Sequence, residues 1–336
     1  MTNTNARETA SPAVSVIVVN YNGGKYLERC LRALAGQTFR DFRGIVVDNA
    51  STDGSTSIAQ VHSDVVLVQA DRNLGFAAGN NLGLKHAGDV RWIVLLNPDA
   101  FPEPDWLECL VAAAERHSEF SFFGCRMVLA NTPELLDGTG DVHHVSGMCW
   151  RRDYRVPTAL GVAEADEIFG PCAAAALYSR RALDEVGGFD EAYFCYHEDV
   201  DLAFRLRLRG HRCRYVPEAV VRHVSSGIAG VRSDFATYHG ERNLVWTYFK
   251  DTPAVLFWSY LPMHVLANLA GIVACATRGQ GGVAVRAKLD ALRGLPRVLQ
   301  QRRVVQAQRS ASIRDLRSAM SRGLRSLLER GRRRTA

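Results

Sequence analysis

Four apolar runs alternate with helix-like segments in the first hundred residues of the chain. The runs are VSVIVV (14–19), GIVVD (44–48), VVLVQ (65–69) and WIVLLN (92–97), and polar turns separate them from the helix-like segments. Continuous β-branched runs of this length are typical of strands that are buried on both faces of a parallel sheet. Strands that alternate with helices predict a doubly wound α/β unit.

Polar residues stand at the end of each predicted strand. In doubly wound sheets, ligands bind outside the carboxyl ends of the strands. Here those ends are residues 20–22, 48–49, 71–73 and 97–99. Three of these four clusters contain a carboxylate, so we expect an acidic, hydrogen-bonding ligand site at this edge of the sheet.

The first strand-to-helix turn excludes two common nucleotide-binding classes. Its sequence is NYNGG, with only Gly23 and Gly24, whereas a dinucleotide-binding protein carries G-x-G-x-x-G at this position. The chain also lacks the GxxxxGK[ST] sequence of P-loop proteins. A nicotinamide-dependent enzyme and a P-loop NTPase are therefore not indicated.

The pattern changes after residue 120. FSFFGCRMVLA and IFGPCAAAALYS predict strands on either side of an irregular loop (131–167), in which we expect His143 and His144 to lie at the surface. Further on, the sequence predicts a helix over 198–209 and short strands near 212–216 and 219–223. The eight cysteines form no CxxC pair and no zinc-ribbon spacing, so we expect reduced thiols of a cytosolic protein.

Two acidic segments are candidates for catalysis. Asp99, in LLNPDA, can share a divalent cation with substrate phosphates, or it can cap the helix that starts near Pro104. The segment HEDVDL (197–202) places Glu198 and Asp199 at a helix start, where one carboxylate can act as a general base or both can serve as helix caps.

A histidine and an arginine further along the chain are also candidates. His223 ends the apolar run AVVRHV, and it is either a metal ligand or a satisfied core residue. Arg242 can pair with a phosphate through its planar guanidinium, or it can be an exposed residue beside Glu241.

Six stretches, taken in order, resemble glycosyltransferase family 2, and in particular its rhamnosyltransferase-like branch. They are VSVIVVNYNGGKYLERCLRAL, IVVDNASTDGS, NLGFAAGNNLGL, WIVLLNPDA, the segment from GPCAAAALYS to VVRH, and GERNL, and they cover about residues 14–250. The resemblance implies a GT-A fold, that is, a mixed sheet flanked by helices, and the transfer of a sugar from a nucleotide diphosphate.

The resemblance also implies a role for each matching residue. The nucleotide-sugar side comprises Asn20, Asn22, Asp48, Asn49, Asp53, Asn73, Gly75, Asn80, Asn97 and Arg242. Within this set, Asp48 would bind the base and Arg242 the diphosphate. Asn97 occupies the first acidic position of the family's Asp-x-Asp metal motif, which removes one negative charge from that motif.

On the catalytic side, Asp199 matches the family's base, with Glu198 beside it toward the acceptor. Asp99 and His223 match metal ligands for Mg²⁺ or Mn²⁺. The implied reaction is a single displacement: Asp199 takes the proton of an acceptor hydroxyl, and the anomeric configuration inverts. We expect dTDP-rhamnose as donor and a saccharide, linked to a polyprenyl lipid, as acceptor in cell-envelope polysaccharide assembly.

Two other functions remain open from the sequence. Another nucleotide-sugar or nucleotidyl-transfer enzyme on the same sheet would share Asp99 but would not need the HEDVDL helix. A non-catalytic envelope assembly protein would bind a sugar nucleotide without turning it over.

The C-terminal part of the chain predicts attachment to a membrane. Residues 278–336 carry 16 lysine and arginine residues against 3 aspartate and glutamate residues, whereas the rest of the chain has a net charge of −7. Residues 252–277 contain no Asp, Glu, Lys or Arg, which predicts an interfacial or re-entrant segment broken at Pro262. Beyond it, apolar residues share one helical face among arginines: Ile313, Leu316, Met320, Leu324, Leu327 and Leu328.

The alternative is a helical pair that packs on the catalytic domain or on a second subunit in a homo-oligomer. Nucleic-acid binding is not expected. The expected organisation is a disordered leader (1–12), a catalytic domain (13–250, divided at residue 100 into nucleotide and acceptor halves) and a helical extension (251–336). No apolar signal core is present near the N-terminus, so we expect a cytoplasmic protein, peripheral on the inner face of the plasma membrane.

Overall fold

The computed structural model describes residues 11–62, 65–225, 233–323 and 326–327. The first part of the chain alternates strands and helices. In chain order these are β1 (Val14–Asn20), α1 (Gly24–Ala35), β2 (Phe42–Asp48), α2 (Ser55–Gln60), β3 (Val65–Gln69), α3 (Gly75–His86), β4 (Trp92–Leu96), β5 (Ala100–Pro102) and α4 (Trp106–Arg116). The four predicted strands are therefore confirmed as β1 to β4.

The middle of the chain contains shorter strands. They are β6 (Phe122–Leu129), β7 (Thr132–Gly138), β8 (Asp141–His143), β9 (Cys149–Arg151), β10 (Glu167–Ile168) and β11 (Ala175–Ser179), followed by α5 (Arg180–Val186), a 3₁₀ turn (Glu191–Tyr193), α6 (Glu198–Leu208) and β12 (Cys213–His223). The two strands expected near 212–216 and 219–223 form one strand, whose pairing with β6 shifts register between Val216 and Val220, around Pro217. Proline cannot donate to a ladder, which accounts for the irregularity.

The main sheet is mixed, as the resemblance implies. Its strand order is β10-β12-β6-β11-β4-β1-β2-β3, with β5 paired to β12 and β7 to β6. Strand β1 runs parallel to β2 and β4, whereas β11 runs antiparallel to both of its neighbours. The carboxyl ends of β1, β2 and β4 therefore meet at one edge of the sheet, beside the segments contributed by the second half.

Both faces of the sheet are buried. In β1, Ile17 and Val19 belong to one apolar cluster, whereas Val16 and Val18 belong to the cluster on the other face. This alternation follows from the two-residue period of a strand. Because helices cover both faces, the edge at the strand ends is left as the place for a ligand.

The segment 131–167 is not the irregular loop that the sequence predicted. It contributes β7, β8 and β9, and its histidines are buried, so the prediction of surface positions for His143 and His144 was wrong. His143 stacks on Phe169, with ring centroids 4.6 Å apart. Burial, together with nearby histidines, lowers the pKa of His143 to about 3, so this imidazole is neutral.

The last part of the described chain is helical: α7 (Asp234–Asp251), α8 (Ala254–Ala276), α9 (Gly281–Arg293), α10 (Leu295–Ala307) and α11 (Ile313–Ala319). Helix α8 continues through Pro262, so the expected break there was wrong. Leu316 and Met320 are buried in the core cluster of the sheet, so this apolar face packs on the body of the protein. Leu324 and Leu328 lie outside the described residues.

Candidate active site

Two strand ends form one hydrogen-bonded unit at the edge of the sheet. Asn20 and Asp48 are register partners in β1 and β2, and the Asn20 amide donates to Asp48 Oδ1 at 3.0 Å. The same amide nitrogen also lies within 3.0 Å of the hydroxyls of Ser51 and Ser55. A Cβ on Gly23 would stand 2.3 Å from Asn20 Oδ1, so only glycine fits at this turn.

Further hydrogen bonds connect the loops that follow β1 and β2. Asn22 Oδ1 accepts from the Thr52 amide at 2.8 Å, and Asp53 Oδ1 accepts from the hydroxyl of Ser55 at 2.6 Å. Asp48 Oδ2 accepts from Thr56 Oγ1 at 2.9 Å. The loops after β1 and β2 therefore hold each other in place before any ligand binds.

The start of α3 closes this edge. Asn49 donates to the Gly75 carbonyl at 3.0 Å, and the Gly75 amide donates to Asn73 Oδ1 at 2.9 Å. Gly75 has φ +81°, and a Cβ there would lie 2.6 Å from the ring and the carbonyl oxygen of Phe194. Asn80 is buried within α3 and donates to the Phe76 carbonyl. Gly75 therefore joins the predicted nucleotide side to the segment that precedes α6.

A chain of charged groups runs inward from Asp99. The antiparallel pairing of β5 with β12 sets Ala100 opposite His223, and His223 Nε2 lies 3.2 Å from Asp99 Oδ1. On its other side, His223 Nδ1 lies 2.8 Å from Asp137 Oδ2, and Arg151 donates to Asp137 Oδ1 at 2.5 Å. Asp99, His223 and Asp137 are all buried.

These contacts set the charge states of the buried groups. Burial alone would lower the pKa of His223, but the carboxylates of Asp137 and Asp99 raise it to about 9. Burial would raise the pKa of Asp137, yet Arg151 and His223 bring it down to about 2. In the metal-free protein, His223 is therefore an imidazolium between two carboxylates at neutral pH.

The raised pKa of His223 predicts a loss of stability in mild alkali. The pKa of His223 is higher in the folded chain than the 6.5 of an unfolded histidine. The contribution of His223 to the free energy of unfolding is therefore fully present below pH 6.5 and is lost as the pH rises through about 9. A shift of this size corresponds to ~3 kcal/mol. We expect urea unfolding in EDTA to show this decline, and we expect His223→Gln to remove it. An equal decline in both proteins would contradict the assignment.

The residues around Asp99 fit a cation that is shared with a substrate. The Asn97 side-chain oxygen is buried and has no hydrogen-bond partner among the described residues, and Asp99 supplies a carboxylate two residues away. Across the described residues no group of three or more His, Cys, Asp or Glu is arranged to enclose a metal. Mg²⁺ is commonly held by one or two carboxylates plus substrate phosphates, and this donor set suits that mode of binding.

A second buried acidic group lies at the start of α6. Asp199 Oδ1 accepts from the Val200 amide at 2.8 Å, and Oδ2 accepts from the Ala173 amide at 3.4 Å. Burial raises the pKa of Asp199 despite these bonds and the nearby Arg151 guanidinium. Burial, and then the charge of Asp199, raises the pKa of Asp141 well above its usual value. The two carboxyl groups therefore titrate as a coupled pair.

Glu198 is the other acidic residue of this turn. It is buried, and within the part of the chain that the structure describes its Oε2 atom has no hydrogen-bond partner. Burial and the neighbouring Asp199 raise the pKa of Glu198 well above its usual value. Helix capping does not explain a buried carboxyl oxygen without a donor, so Glu198 is available for a polar ligand.

A strained turn positions this acidic group. Phe194, Tyr196 and His197 all have φ between 66° and 68°, which non-glycine residues rarely adopt. The Asn243 amide donates to the carbonyls of Tyr193, Cys195 and Tyr196 at 2.7–3.0 Å. Strain of this kind persists only where surrounding bonds hold the backbone. Asn243 therefore fixes the turn that leads into Asp199.

Arg242 holds the same turn. Its Nη2 atom donates to the carbonyls of Ala192 and Tyr193, and its guanidinium lies 4.3 Å from the centre of the Trp246 ring. The structure thus gives Arg242 partners within the chain, and its contact with a diphosphate stays a prediction.

We expect Asn243→Ala to weaken both the turn and the activity. Buried carbonyls would lose their donor, at ~1–3 kcal/mol. Asn268→Ala is the matched control, because the Asn268 amide bonds only within its own helix, to the His264 ring and carbonyl. Thermal unfolding and steady-state kinetics of sugar transfer measure the effects. If kcat of Asn243→Ala stays low at a lower temperature, where the variant is folded, Asn243 positions α6 for catalysis. Equal kcat values for Asn243→Ala and Asn268→Ala would contradict this role.

Three charged residues near the site were not predicted from the sequence: Asp137, Asp141 and Arg151. All lie in the segment predicted as a loop, on β7, β8 and β9. Asp141 and Arg151 are register partners in the β8–β9 pair. The DGTGD sequence was a signal for a tight turn with two carboxylates, but nothing in it indicated which groups would face them.

The comparisons with known proteins point to one family. The family model described as glycosyl transferase family 2 matches residues 15–187. An N-acetylglucosaminyl-diphospho-decaprenol L-rhamnosyltransferase of Mycobacterium tuberculosis is 31% identical over 255 residues, which is 67% of this chain and 80% of that protein.

Solved structures show the same fold at lower identity. Residues 1–349 of S. aureus TarS in complex with UDP-GlcNAc match with a TM-score of 0.57 and 18% identity, over 87% of this chain and 88% of that one. The mannosyltransferase PcManGT of Pyrobaculum calidifontis, in complex with GDP-Man and Mn²⁺, matches with a TM-score of 0.54 and 20% identity, over 89% and 86%.

Proposed function

The chain belongs to glycosyltransferase family 2 and is a glycosyltransferase, and we propose that it transfers rhamnose from dTDP-rhamnose to a lipid-linked saccharide, with inversion at the anomeric carbon. One observation supports this most strongly. The Arg151 guanidinium donates to Asp137, and Asp137 is connected to Asp99 through His223. The positive charge of Arg151 also acts on Asp199. Arg151 would therefore link the proposed base to the proposed diphosphate site through one charged network.

Asp199 acts as the general base in this proposal. It takes the proton of the acceptor hydroxyl as that oxygen attacks the anomeric carbon, and the bond to the nucleotide diphosphate breaks on the opposite face. Attack and departure on opposite faces invert the configuration. The pKa of Asp199, raised by burial, brings its basicity closer to the operating pH, which favours proton transfer.

Asp99, Asn97 and His223 are the residues that would hold a divalent cation, Mg²⁺ or Mn²⁺, together with the donor. The cation would neutralise the charge that grows on the departing diphosphate. His223 has to release its proton to act as a ligand, and the positions of Asp99 and Asp137 orient its ring for that role.

The base of the donor would lie against the loops after β1 and β2. Asp48 is buried, and Asn20 and Thr56 already bond its two oxygens. A carboxylate has about four acceptor positions, so Asp48 can also accept the ring N–H of thymine or uracil. The rhamnosyltransferase relative supports rhamnose as the sugar.

The acceptor proposal rests on the same relative, whose name specifies a decaprenol-linked N-acetylglucosamine. Glu198, with its unpartnered oxygen, would face the acceptor side of the site. A polyprenyl-linked acceptor places the reaction at the inner face of the plasma membrane, in the assembly of cell-envelope polysaccharide.

A thermal-shift screen tests the donor assignment. The protein is heated with UDP, GDP, dTDP and their sugars, with Mg²⁺ or Mn²⁺ and then with EDTA. We expect dTDP-rhamnose with metal to raise the melting temperature most, since a ligand that binds only the folded state stabilises it. Asp48→Ala should lose this shift. No stabilisation by any of the nucleotides would contradict the proposal.

A further inference from the structure

Helix α8 is attached to the body of the protein along one face. Leu256, Phe257, His264 and Cys275 are buried on that face. His264 Nδ1 lies 2.8 Å from the Ser146 carbonyl oxygen, and the imidazole stacks on Tyr248 with ring centroids 3.8 Å apart. Burial lowers the pKa of His264 to about 4, so the ring is neutral and suited to this contact.

The opposite face of α8 is apolar and open. Its large side chains are 48–70% exposed: Val255, Trp258, Val265, Leu266, Leu269 and Val273. At 100° per residue they fall within about a third of the helix circumference, which places them in one stripe, ~27 Å long at 1.5 Å per residue. No Asp, Glu, Lys or Arg interrupts the stripe. A contiguous apolar surface of this length marks an interaction site.

By length and composition α8 is the one helix among the described residues that could cross a membrane. Its neighbours argue against a crossing. Helix α7 ends just before α8, and Gln280, just after α8, donates to Asp234 at the start of α7 at 2.8 Å. Helix α8 therefore runs back along α7, and both of its ends are tied to α7. A crossing would carry the buried Asn243 and Lys250 of α7 into hydrocarbon.

Basic residues lie on elements close to α8. On α9, exposed Val285, Leu289 and Leu292 are interspersed with Arg286 and Arg293. Near the Ser146 turn that holds α8, Ser321 bonds the backbone of His143 and Val145. Beside it, three arginines line a surface cavity of about 470 Å³: Arg314, Arg317 and Arg322. Apolar stripes beside clustered arginines are typical of helices that lie in the interface of anionic bilayers.

We propose that the open face of α8 docks on an anionic lipid bilayer, with the helix parallel to the membrane plane and the catalytic body above it. Trp258, near the N-terminal end of the stripe, is 70% exposed, and its aromatic ring suits the headgroup level. The attachment does not depend on which sugar is transferred. It would keep a lipid-linked acceptor close to Asp199.

Vesicle binding tests this proposal. The full chain is sedimented with vesicles of phosphatidylcholine, with or without phosphatidylglycerol. The double variant Trp258→Glu with Leu266→Glu is compared with Val61→Glu with Leu160→Glu, which changes two equally exposed residues elsewhere. We expect wild type and control to bind phosphatidylglycerol vesicles, and the α8 variant to bind at least about tenfold more weakly. Its melting temperature should not change, because both residues are exposed.

Three results would overturn the proposal. In the first, the wild-type protein binds neither kind of vesicle. In the second, the two double variants bind equally well. In the third, the wild-type protein is a dimer without affinity for vesicles, and the α8 variant is a monomer. The last result would assign the face to a second copy of the chain. Nucleotide-induced thermal shifts of the same variants report on the donor site separately, so a failure here is distinguishable from a failure of the proposed reaction.

Discussion

Replacing Asp199 by asparagine lowers kcat for sugar transfer by about 10²–10⁴-fold, because the acceptor hydroxyl then has no base to take its proton. The variant should fold normally. The amide oxygen can keep the 2.8 Å bond from the Val200 N–H, while the longer 3.4 Å bond from the Ala173 N–H is lost, and a neutral group avoids the burial cost that raises the pKa of Asp199. We therefore expect an equal or higher melting temperature together with the loss of activity.

Asp184→Asn is the control for this experiment, since Asp184 is an exposed carboxylate on α5. The pH profile provides a second check. The pKa of Asp199 is raised, and the base must be ionised, so activity should fall in mild acid at a pH above the usual range of an aspartate. Full transfer activity in Asp199→Asn, with an unchanged fold, would remove Asp199 from the role of base.

The largest loss of stability is expected from Lys250→Met. Lys250 is 2% exposed, donates to Asp190 at 2.7 Å and also pairs with Asp201, which is fully buried. Removing this cation leaves the buried carboxylates only partly compensated, at ~3 kcal/mol, the lower end of the cost of breaking a buried ion pair. Arg205 would remain as the partner of Asp201, 2.8 Å away. Urea unfolding at pH 7 measures the change.

Lys288→Met is the matched control. Lys288 pairs with one carboxylate, Glu241, which is 22% exposed and can be rehydrated. We expect a clearly smaller loss there, near the values of partly exposed pairs. If the two variants lose similar free energies of unfolding, the ion pairs of Asp201 do not specifically stabilise the contact between α6 and α7.

The nucleotide half was predictable because its signals are local. Each of β1, β2 and β4 is a run of apolar residues with a polar turn after it, and chain order alone places the strand ends together. Segment 131–167 was not predictable in this way. Its strands β8 and β9 have three residues each, and their pairing depends on packing against distant parts of the chain.

The same distinction applies to the site. Asp99 and His223 lie 124 positions apart, and only the β5–β12 pairing brings them within 3.2 Å. A three-residue strand such as β5 has no recognisable period. The path of α8 through Pro262 was not predictable either, because a proline costs a helix one hydrogen bond, and the sequence did not show that His264, two residues later, is buried against the Ser146 turn.

Mass spectrometry of the reaction product tests the proposed transfer of rhamnose to a lipid-linked acceptor. The full chain is incubated with Mg²⁺, dTDP-rhamnose and a polyprenyl-diphosphate-linked N-acetylglucosamine, with UDP-sugars as competing donors. We expect the lipid-linked acceptor to gain the mass of one deoxyhexose, and we expect Asp199→Asn to abolish this gain. An unchanged acceptor, or the addition of a sugar from a UDP donor instead, would contradict it.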